Sequence, residues 1–428
     1  MTKFNRRQFG ALAGAAALSP ALSNQVLGQS EDRTIRIGFV GPRSGPLAPF
    51  GEADAFVADA FRAAQADGLR IGDTTYAVEV IEADTQSDPI RASQEVRDMI
   101  NGQSPDIVLA ASTPETTNPV LDACESAGVP GLTTIAPWEA VYFGRGARPG
   151  EPSPFKWTFH FSFGAGDFST LYADQWSKVE TNRKVGMLLP NDADGNAIRG
   201  GLIPALEGHG YEIFDAGPYE NGGGDFSNQI RYFRENGVEI VNSFPFPPDF
   251  AVFWRQAAQL GLAQQVRIMQ IAKAGLFPAE MEALGQLGYG VATGAYWHRA
   301  FPTRSPALNM TSEELATGFQ QALGKQWTQQ PGAVSALFDV AVAAFQASGN
   351  PKDKSAVAAA IGGLTTETAV GTIDFAGGPV PGIATAPLLG AQWVQGQGDD
   401  AVDLMITSNA LAPEVPITAP LQPFRLGS

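Results

Sequence analysis

Short hydrophobic runs alternate along most of the chain with segments whose apolar residues recur at helical spacing. Uninterrupted apolar runs predict strands that are buried on both faces, and the amphipathic segments predict helices that cover those faces. The first series of strand-like runs is IRIGFVG, YAVEVIEAD, DIVLAAS and GLTTI. The second is KWTFHFSF, KVGMLLP, YEIFDAG, VEIVNSF and VRIMQIA. Two such series predict an α/β protein with two lobes, each built on a doubly wound parallel sheet.

The boundaries of the lobes follow from breaks in this alternation. A Pro- and Gly-rich stretch, 146–154, separates the two series. Helical patterns return after the second series, which indicates that the chain goes back to the first lobe. The end of the chain is Pro-rich and weakly periodic, which is typical of a tail that wraps a surface. We therefore predict an N-terminal lobe of residues 33–153 and 299–363, a C-terminal lobe of residues 154–298 and 364–400, and a tail of residues 401–428.

The N-terminal segment 1–28 has the pattern of a twin-arginine export signal. Arg6 and Arg7 precede a short apolar run, and small residues follow near Ser23. The run is shorter than the roughly 20 residues that span a bilayer, and no later segment looks long and apolar enough to do so. The alternative, an apolar helix of the fold, is disfavoured by the arginine pair. Cys124 is the only cysteine, so the sequence predicts neither a lipid anchor nor an internal disulfide.

The charge balance is acidic. The chain has 28 basic and 44 acidic residues, a net charge of −16, and loss of Lys3, Arg6 and Arg7 with the export signal would leave 25 basic residues and a charge of −19. Such a surface disfavours nucleic acid and anionic membranes as partners. The composition therefore predicts a soluble periplasmic protein. Its length of about 400 mature residues exceeds what one core usually supports, which agrees with two lobes.

Two stretches near the start carry a specific resemblance. The first is RIGFVGPRSGPLAPFGE, and the second is EADTQSDPIRASQEV. Both resemble the beginning of type I periplasmic solute-binding proteins, in particular the branched-chain amino-acid-binding group of ABC importers. The resemblance continues through GVPGLTT, DFSNQIRYFRENGVEIV, FWRQAAQLGL and VGTIDFAGG. It implies two α/β lobes that are joined by three crossovers, close on a small ligand and deliver it to an ABC permease in the inner membrane.

The resemblance also implies contacts between the first lobe and the ligand. An aromatic residue covers the ligand, a hydroxyl segment follows the third strand, and the next loop supplies backbone and hydroxyl groups to a ligand carboxylate. The positions that match are Phe50, Ser112, Thr113, Thr134, Ala136 and Trp138. Hydroxyl and backbone N–H groups at helix N-termini suit a carboxylate. Alternatively, Ser112 and Thr116 only cap the helix that begins near Thr117.

In the second lobe the resemblance breaks down at one position. Where amino-acid binders keep an acidic residue for the ammonium of their ligand, this chain has Lys273, within IAKAG. A lysine there would repel an ammonium and attract a carboxylate. The sequence therefore predicts an organic acid as ligand, first an aromatic carboxylate and second a branched aliphatic acid. Alternatively, Lys273 is solvated or pairs with Asp192, Asp194 or Glu139.

Further contacts with the ligand are expected around this lysine. The loop PNDADGN stands where amino-acid binders often have a tyrosine, and it places Asp194 near the ligand. Phe246, Tyr296 and Trp297 would offer aromatic surface if they line the cleft, although most phenylalanines must belong to the core. The predicted site is thus Phe50, Ser112, Thr113, Thr134, Ala136, Trp138, Asp194, Phe246, Lys273 and Trp297.

Other chemistry is not supported by the residues. Asp192, Asp194 and Asn196 alternate as in a calcium loop, but the glycine and the final glutamate of such a loop do not follow at the right spacing. His160 and His298 are interpreted as structural, with the option that they meet at the hinge or that one donates to the ligand. The chain has no P-loop, haem motif or G-x-S-x-G turn, so we predict no cofactor, no metal and no catalysis.

The sequence therefore predicts a periplasmic receptor that delivers a small organic acid to an ABC permease and that acts as a monomer. Three alternatives remain open at this point. The same fold could bind an amino acid or an amide, with Lys273 turned away. It could present its ligand to a sensory partner, or it could be an enzyme that converts the bound acid.

Overall fold

The computed structural model describes residues 33–398 and 400–426. The predicted export signal, residues 1–28, lies outside the described residues. The strands are, in chain order, β1 (Thr34–Gly41), β2 (Leu69–Ile71), β3 (Thr74–Asp84), β4 (Ile107–Ser112), β5 (Gly131–Ile135), β6 (Thr158–Phe161), β7 (Lys184–Leu188), β8 (Glu212–Asp215), β9 (Ile240–Ser243), β10 (Ile268–Ile271), β11 (Val291–Ala295), β12 (Arg304–Ser305), β13 (Met310–Thr311), β14 (Thr365–Thr368), β15 (Gly371–Asp374), β16 (Ile383–Ala384), β17 (Leu389–Gln395) and β18 (Val402–Ser408).

The helices alternate with these strands, as the apolar spacing predicts. They are α1 (Asp54–Ala64), α2 (Pro89–Gln103), α3 (Pro114–Ala127), α4 (Trp138–Tyr142), α5 (Ala165–Trp176), α6 (Ala193–Gly208), α7 (Ser227–Glu235), α8 (Pro247–Gln259), α9 (Pro278–Leu284), α10 (Ser312–Leu323), α11 (Gln330–Ser348) and α12 (Lys354–Gly362). Short 3₁₀ turns lie at Ala48–Gly51, Lys273–Leu276 and Gly285–Leu287. Local signals set several ends: the Asp88 carboxylate accepts a hydrogen bond from the Arg91 N–H at 2.7 Å at the start of α2. Gly128, with φ of 66°, ends α3.

Each lobe has a seven-stranded sheet. The first has the order β16-β6-β5-β4-β1-β3-β2 and the second the order β18-β17-β11-β10-β9-β7-β8. Neighbours in the first sheet are parallel except β2 and β3, and in the second sheet β17 is antiparallel to both β11 and β18. Every residue of β4, β5 and β11 is buried. Continuous burial explains why these strands contain no charged residue and consist of apolar residues, glycine and small hydroxyl residues, because helices cover both faces of each sheet. The predicted fold class is confirmed.

Three crossovers join the lobes, between β6 and α5, between β11 and β12, and between β16 and β17. The first and third run side by side: the Ser162 N–H donates to the Ala384 carbonyl at 3.1 Å, and the Ala386 N–H donates to the Ser162 carbonyl at 3.2 Å. The Phe163 ring of the first crossover stacks on the Tyr296 ring of the second, with 6.1 Å between their centroids. The crossovers therefore form one bundle at the hinge.

Two predicted lobe boundaries are wrong. The strand at 158–161 was assigned to the C-terminal lobe, but it pairs with β5 in the first sheet. Residues 364–384 were also assigned to that lobe, but they hold the hairpin of β14 and β15, which packs on α11, and the strand β16, which pairs with β6. The apolar pattern of a strand reports burial, and it carries no information about which of two sheets provides the neighbouring strand.

The predicted tail begins too early. Residues 402–408 form β18, an edge strand of the second sheet with mostly buried side chains. The segment after it lies along the same lobe, where the Phe424 ring meets the Trp254 ring with centroids 5.1 Å apart. The Gln422 N–H also donates to the Gln392 side chain at 2.9 Å. The Pro-rich composition misled the prediction because it is typical of loops, whereas VDLMITS is an ordinary strand.

Helix α11 also contradicts the expectation that no later segment could cross a membrane. By length and composition it is apolar enough to do so, and it is the one such helix among the described residues. In the fold, 78% of the apolar stretch is buried. The helix packs against α1, α12, β4 and β5. It is therefore the central helix of the first lobe, apolar on all sides because protein surrounds it.

Candidate functional site

A small cavity lies between the lobes, at the carboxyl ends of the parallel strands, where open α/β sheets bind ligands. Its volume is about 40 Å³. Strand ends of both sheets contribute to its wall, and each crossover adds one side chain. The wall consists of Phe50, Thr113, Ile135, Ala136, Pro137, Phe163, Phe168, Asp194, Phe244, Ala272, Lys273, Leu276, Gly294, Tyr296 and Leu388.

Most of the wall is aromatic or aliphatic. Phe50, which the resemblance implied, lies in it and meets the Phe277 ring edge to face at 5.1 Å. The Phe168 ring contacts both Phe163, at 5.0 Å, and Phe244, at 5.5 Å. Interlocked rings of this kind hold their positions, because each is packed against the next. The cavity therefore presents a rigid apolar surface that suits a flat or branched apolar group.

Thr113 is the hydroxyl residue that reaches the cavity from the first lobe. It precedes α3, and its own carbonyl accepts a hydrogen bond from the Thr117 hydroxyl at 3.0 Å. The Thr113 hydroxyl is buried and has no hydrogen-bond partner in the described part of the chain. Ser112 is buried beside it but is not part of the cavity wall. Neither hydroxyl caps α3, so the helix-cap alternative for Ser112 does not hold.

The loop after β5 shapes another part of the wall through its backbone. Ile135 has a φ of 86°, an unusual value for a β-branched residue. The carbonyl of the next residue, Ala136, accepts a hydrogen bond from His160 Nε2 at 2.9 Å, while His160 Nδ1 lies 2.8 Å from the Thr133 hydroxyl. Burial lowers the pKa of His160 to about 4. A neutral imidazole that bonds on both nitrogens therefore holds this loop in place, as a structural residue.

Three predicted contacts do not reach the cavity wall. The Thr134 hydroxyl donates to the Phe161 carbonyl at 2.7 Å, inside the first sheet. The Trp138 ring packs on the Tyr142 and Phe143 rings, in a separate cluster. Trp297 is fully buried, and its indole N–H donates to the Ser312 hydroxyl at 3.2 Å. None of the three lies in the wall of this cavity, so contact between these residues and a ligand stays a prediction.

His298 is also accounted for by the protein itself. Its Nε2 lies 2.9 Å from the Leu404 carbonyl, and the Ala300 N–H donates to its Nδ1 at 3.0 Å. Burial lowers the pKa of His298 to about 4. Each histidine thus has its own partners, and the structural interpretation of both is the one that the contacts support.

Lys273 lines the cavity, but it is not a free cation. Its ammonium lies 2.9 Å from Asp194 Oδ2 and 3.1 Å from Asp192 Oδ2. The Phe246 ring covers it, with its centroid 4.2 Å from the nitrogen. Only 6% of Lys273 is exposed. The pairing that the sequence left as an alternative is therefore the one present, and Phe246 shields the ammonium rather than lining the cavity.

The pKa values of this cluster follow from burial and from its one positive charge. Burial disfavours the charged form of Lys273, but the carboxylates of Asp194 and Asp192 outweigh it and hold the pKa of the ammonium above its usual range. Burial also acts on Asp192, yet Lys273 and hydrogen bonds from Gly195 and Asn221 keep its pKa below the ordinary value. For Asp194 burial dominates and raises the pKa to about 7.

These contacts correct the electrostatic argument made from sequence. Lys273 does stand where related binders have an acid. Its positive charge is compensated by Asp192, directly before α6, and by Asp194, in the first turn of that helix. Glu115 of α3, across the cleft, adds a further negative charge that acts on both Lys273 and Asp194. The cluster is therefore not a simple anion site. It combines an ammonium with at least one carboxyl group, Asp194, that also lines the cavity.

Several wall residues escaped prediction from sequence. Phe163 and Leu388 belong to crossovers, while Phe168 lies in α5 and Phe244 follows β9, both in the second lobe. Phe244 follows β9 directly, so its place at a carboxyl strand end was a usable signal. Nothing local distinguishes Phe163 or Leu388 from core residues, because the crossovers become part of a site only when three distant segments meet.

The fold and the cavity together define a class: a two-lobed α/β binding protein that holds a small molecule at the hinge-side end of the cleft. A sequence model of the family described as "Periplasmic binding protein" matches residues 34–399. The chain belongs to this family, which is periplasmic, and the type I architecture expected from the resemblance is confirmed. No match was found among curated proteins.

Solved structures share the fold at low sequence identity. One is a solute-binding protein of an ABC transporter from R. palustris in complex with 4-hydroxybenzoate, with 17% identity, 92% of this chain and 98% of that chain covered, and a TM-score of 0.71. Another, from Rhodopseudomonas palustris BisB5 in complex with 3,4-dihydroxy benzoic acid, has 16% identity, covers 89% and 98%, and has a TM-score of 0.70. A third is LivJ, a branched-chain amino acid transporter substrate-binding protein from Streptococcus pneumoniae in complex with isoleucine, with 14% identity, 87% and 99% covered, and a TM-score of 0.68.

Proposed function

We propose that this protein is the soluble substrate-binding component of an ABC importer in the periplasm, and that its ligand is a small organic acid with an aromatic body. The observation that carries the proposal is the composition of the cavity wall. Rings from both lobes and from the hinge surround it, and the polar residues of its wall are Lys273, Asp194, Thr113 and Tyr296. An aromatic carboxylate has the matching division into a flat apolar body and one polar end.

Lys273 retains a role in this proposal despite its ion pairs. An ammonium has three N–H donors, and the two aspartate oxygens occupy at most two of them. A ligand carboxylate in the cavity would accept the third and would also accept from the Thr113 hydroxyl, which lacks another partner among the described residues. Support for this ligand class also comes from the two R. palustris structures, whose ligands are hydroxylated benzoic acids.

The cavity of about 40 Å³ is far smaller than the roughly 300 Å³ or more typical of ligand pockets. We infer that the lobes part before a ligand of this size enters. Three crossovers that lie side by side allow such a movement as a hinge rotation, because only a few backbone angles in each must change. The proposed cycle is opening, capture of the acid, closure over it, and delivery to the permease.

An amino acid is the second candidate, and one observation favours it. Asp194 Oδ1 is a buried oxygen in the cavity wall without a hydrogen-bond partner in the described structure. As a carboxylate it could accept hydrogen bonds from the ammonium of an amino acid, as the acidic residue of the related binders does. The neighbouring Lys273 opposes this arrangement, since it would lie close to the same ammonium.

Calorimetry separates the two candidates. Benzoate, 4-hydroxybenzoate and 3,4-dihydroxybenzoate form one arm, and leucine and isoleucine form the other. Binding by an aromatic acid together with no heat from the amino acids supports the proposal, and the reverse result would replace it with amino-acid binding. Mass spectrometry of any compound that copurifies with the protein extends the search beyond this panel.

The same samples test whether the protein is an enzyme. If the bound acid is recovered chemically unchanged after long incubation, the protein acts as a receptor. A converted product would instead show catalysis. Size-exclusion chromatography with light scattering tests the proposed monomer.

A further inference from the structure

Three side-chain oxygens of cavity-wall residues are buried without a hydrogen-bond partner in the described structure. One, Tyr296 Oη, belongs to the second crossover, and the other two, Thr113 Oγ1 and Asp194 Oδ1, come one from each lobe. Both residues are nearly inaccessible, with 2% of Thr113 and 3% of Asp194 exposed. An unpaired buried polar atom lowers stability, and both residues line the same cavity. Thr113 and Asp194 therefore mark two points, one on each lobe, at which a ligand can supply a missing hydrogen bond.

The two aspartates that share Lys273 are not equivalent. Asp192 has other donors besides the ammonium: the Gly195 N–H at 2.7 Å and the Asn221 side chain at 3.0 Å. Asp194 has the ammonium on one oxygen, at 2.9 Å, and no partner on the other within the described part of the chain. A negative charge is stabilised by each hydrogen bond that it accepts. The charge of this pair consequently resides on Asp192, and Asp194 is the carboxyl group that can keep a proton.

The charged groups around Asp194 favour the same assignment. From its own lobe it faces Lys273 and Asp192, and from α3 of the first lobe it faces Glu115. Glu139 of α4 lines a separate groove together with Ala193, the residue before Asp194. One cation is thus set against several acids, in a region that is largely closed to water. Burial raises the pKa of Asp194 to about 7, with Lys273 acting in the opposite direction.

A ligand carboxylate can reach Asp194 in only one way. Two ionised carboxylates in a buried site repel each other strongly, whereas a carboxylic acid and a carboxylate share one proton in a strong hydrogen bond. We propose that Asp194 carries a proton when the organic acid is bound and donates it, as an O–H, to the ligand carboxylate. The ligand anion and one proton are then taken up together, and the Asp194 O–H and the Thr113 O–H hold the carboxylate from the two lobes.

This inference rests on the proposed function, because it requires an anionic ligand. It adds a link between the charge of the ligand and the pH dependence of binding, which does not follow from the fold alone. An acid binds with proton uptake, whereas a cationic ligand would require ionised Asp194 and would bind with proton release. The direction of proton flow therefore reports the chemical class of the ligand.

Calorimetry with benzoate as the probe measures this flow directly. Titrations of the full-length protein in two buffers with different ionisation enthalpies, at pH 6 and pH 8, give the number of protons bound with the ligand. We expect about 0.9 proton per benzoate at pH 8 and about 0.1 at pH 6, and an affinity about tenfold weaker at pH 8. At pH 8, an infrared difference spectrum on binding should gain the C=O band of a protonated carboxyl group.

The variant Asp194→Asn tests whether Asp194 is the residue that takes up the proton when the ligand binds. The amide keeps the size of the side chain and still donates to a carboxylate, so we expect benzoate to bind with no proton uptake and with an affinity that is the same at pH 6 and pH 8. Glu139→Gln is the matched variant, because burial raises the pKa of Glu139 to about 7 as well but Glu139 lies outside the cavity wall. Proton uptake should persist in it.

The outcomes separate the inference from the proposed function. If benzoate binds wild-type protein with no proton uptake at pH 8, or if uptake disappears in Glu139→Gln and persists in Asp194→Asn, the role of Asp194 is wrong while the ligand class stands. If none of the aromatic acids binds at either pH, both fail. Should Asp194→Asn not fold, the infrared band and the proton count of wild type and Glu139→Gln still decide.

Discussion

Glu139 of α4 accepts a hydrogen bond from the backbone N–H of Ala165, with 2.8 Å between Oε1 and the nitrogen. This contact joins the two lobes, because α4 belongs to the first and Ala165 begins the first helix of the second. It lies just after the first crossover, next to the Gly164 N–H, which donates to Asp167. The hinge is thus held by a carboxyl group that is itself mostly buried.

This carboxyl makes stability depend on pH. Burial raises the pKa of Glu139 to about 7, although backbone hydrogen bonds lower it in part. Between its ordinary value and about 7 the folded state therefore holds more protons than the unfolded state, and the stability contributed by the protonated group is lost as the pH rises through that interval. Glu139→Gln still accepts the hydrogen bond from Ala165 but has no carboxyl group to titrate. We therefore expect the difference in free energy of unfolding between this variant and wild type to shift in favour of the variant by about 2 kcal/mol from pH 5 to pH 8. Urea unfolding at the two pH values measures the difference, and parallel profiles would contradict it.

The ion-pair cluster predicts a large effect of removing its cation. Lys273→Met leaves Asp192 and Asp194 buried without their shared ammonium, so we expect the free energy of unfolding to fall by about 3 to 5 kcal/mol. Adding Asp194→Asn should recover part of this loss. Lys325→Met is the control, since Lys325 is 61% exposed and lies 3.6 Å from its partner Glu52, and it should cost less than about 1 kcal/mol. Equal losses in the two single variants would show that the cluster is not effectively buried.

Thr113 can be tested without disturbing the fold. Thr113→Val removes a hydroxyl that has no partner among the described residues, so stability should be unchanged or slightly higher, while the affinity for an aromatic acid should fall about tenfold. Thr117→Val is the counterpart, because the Thr117 hydroxyl donates to the Thr113 carbonyl. That change should cost about 1 kcal/mol of stability and leave binding nearly unaltered. Thermal unfolding measures the stability of both variants and calorimetry measures their affinity. A loss of stability in Thr113→Val, or a loss of affinity in Thr117→Val, would contradict the prediction.

Phe50, in the cavity wall, can be compared with Phe56, a partly buried phenylalanine elsewhere in the first lobe. Phe50→Leu should weaken binding of benzoate by about five- to thirtyfold, since part of one apolar face of the cavity is lost. The control is Phe56→Leu, because Phe56 packs on Phe319 in the first lobe and is not in the cavity wall. It should reduce stability by about 1 kcal/mol with little change in affinity. Comparable affinity losses in both variants would mean that the cavity is not where the ring of the ligand lies.

The alternation of apolar runs and amphipathic segments was enough to predict the two parallel sheets, because burial on both faces leaves a direct mark on composition. The resemblance implied that Phe50, Thr113, Ala136, Asp194 and Lys273 lie at the cleft, and open α/β sheets bind ligands at the carboxyl ends of their strands. Their positions in the cavity wall agree with that reasoning.

Only the tertiary structure showed which residues contact each other. The sequence placed a lysine in the cleft but could not show that Asp192 and Asp194 neutralise it, nor that Thr134 and Trp297 point into the lobes. The assignment of 158–161 to the wrong lobe has the same origin. The burial of a position is reflected in its own residue type. An ion pair, a sheet neighbour or a cavity instead depends on segments that are far apart in sequence, such as Phe50 and Leu388 of the cavity wall, and it exists only once the chain has folded.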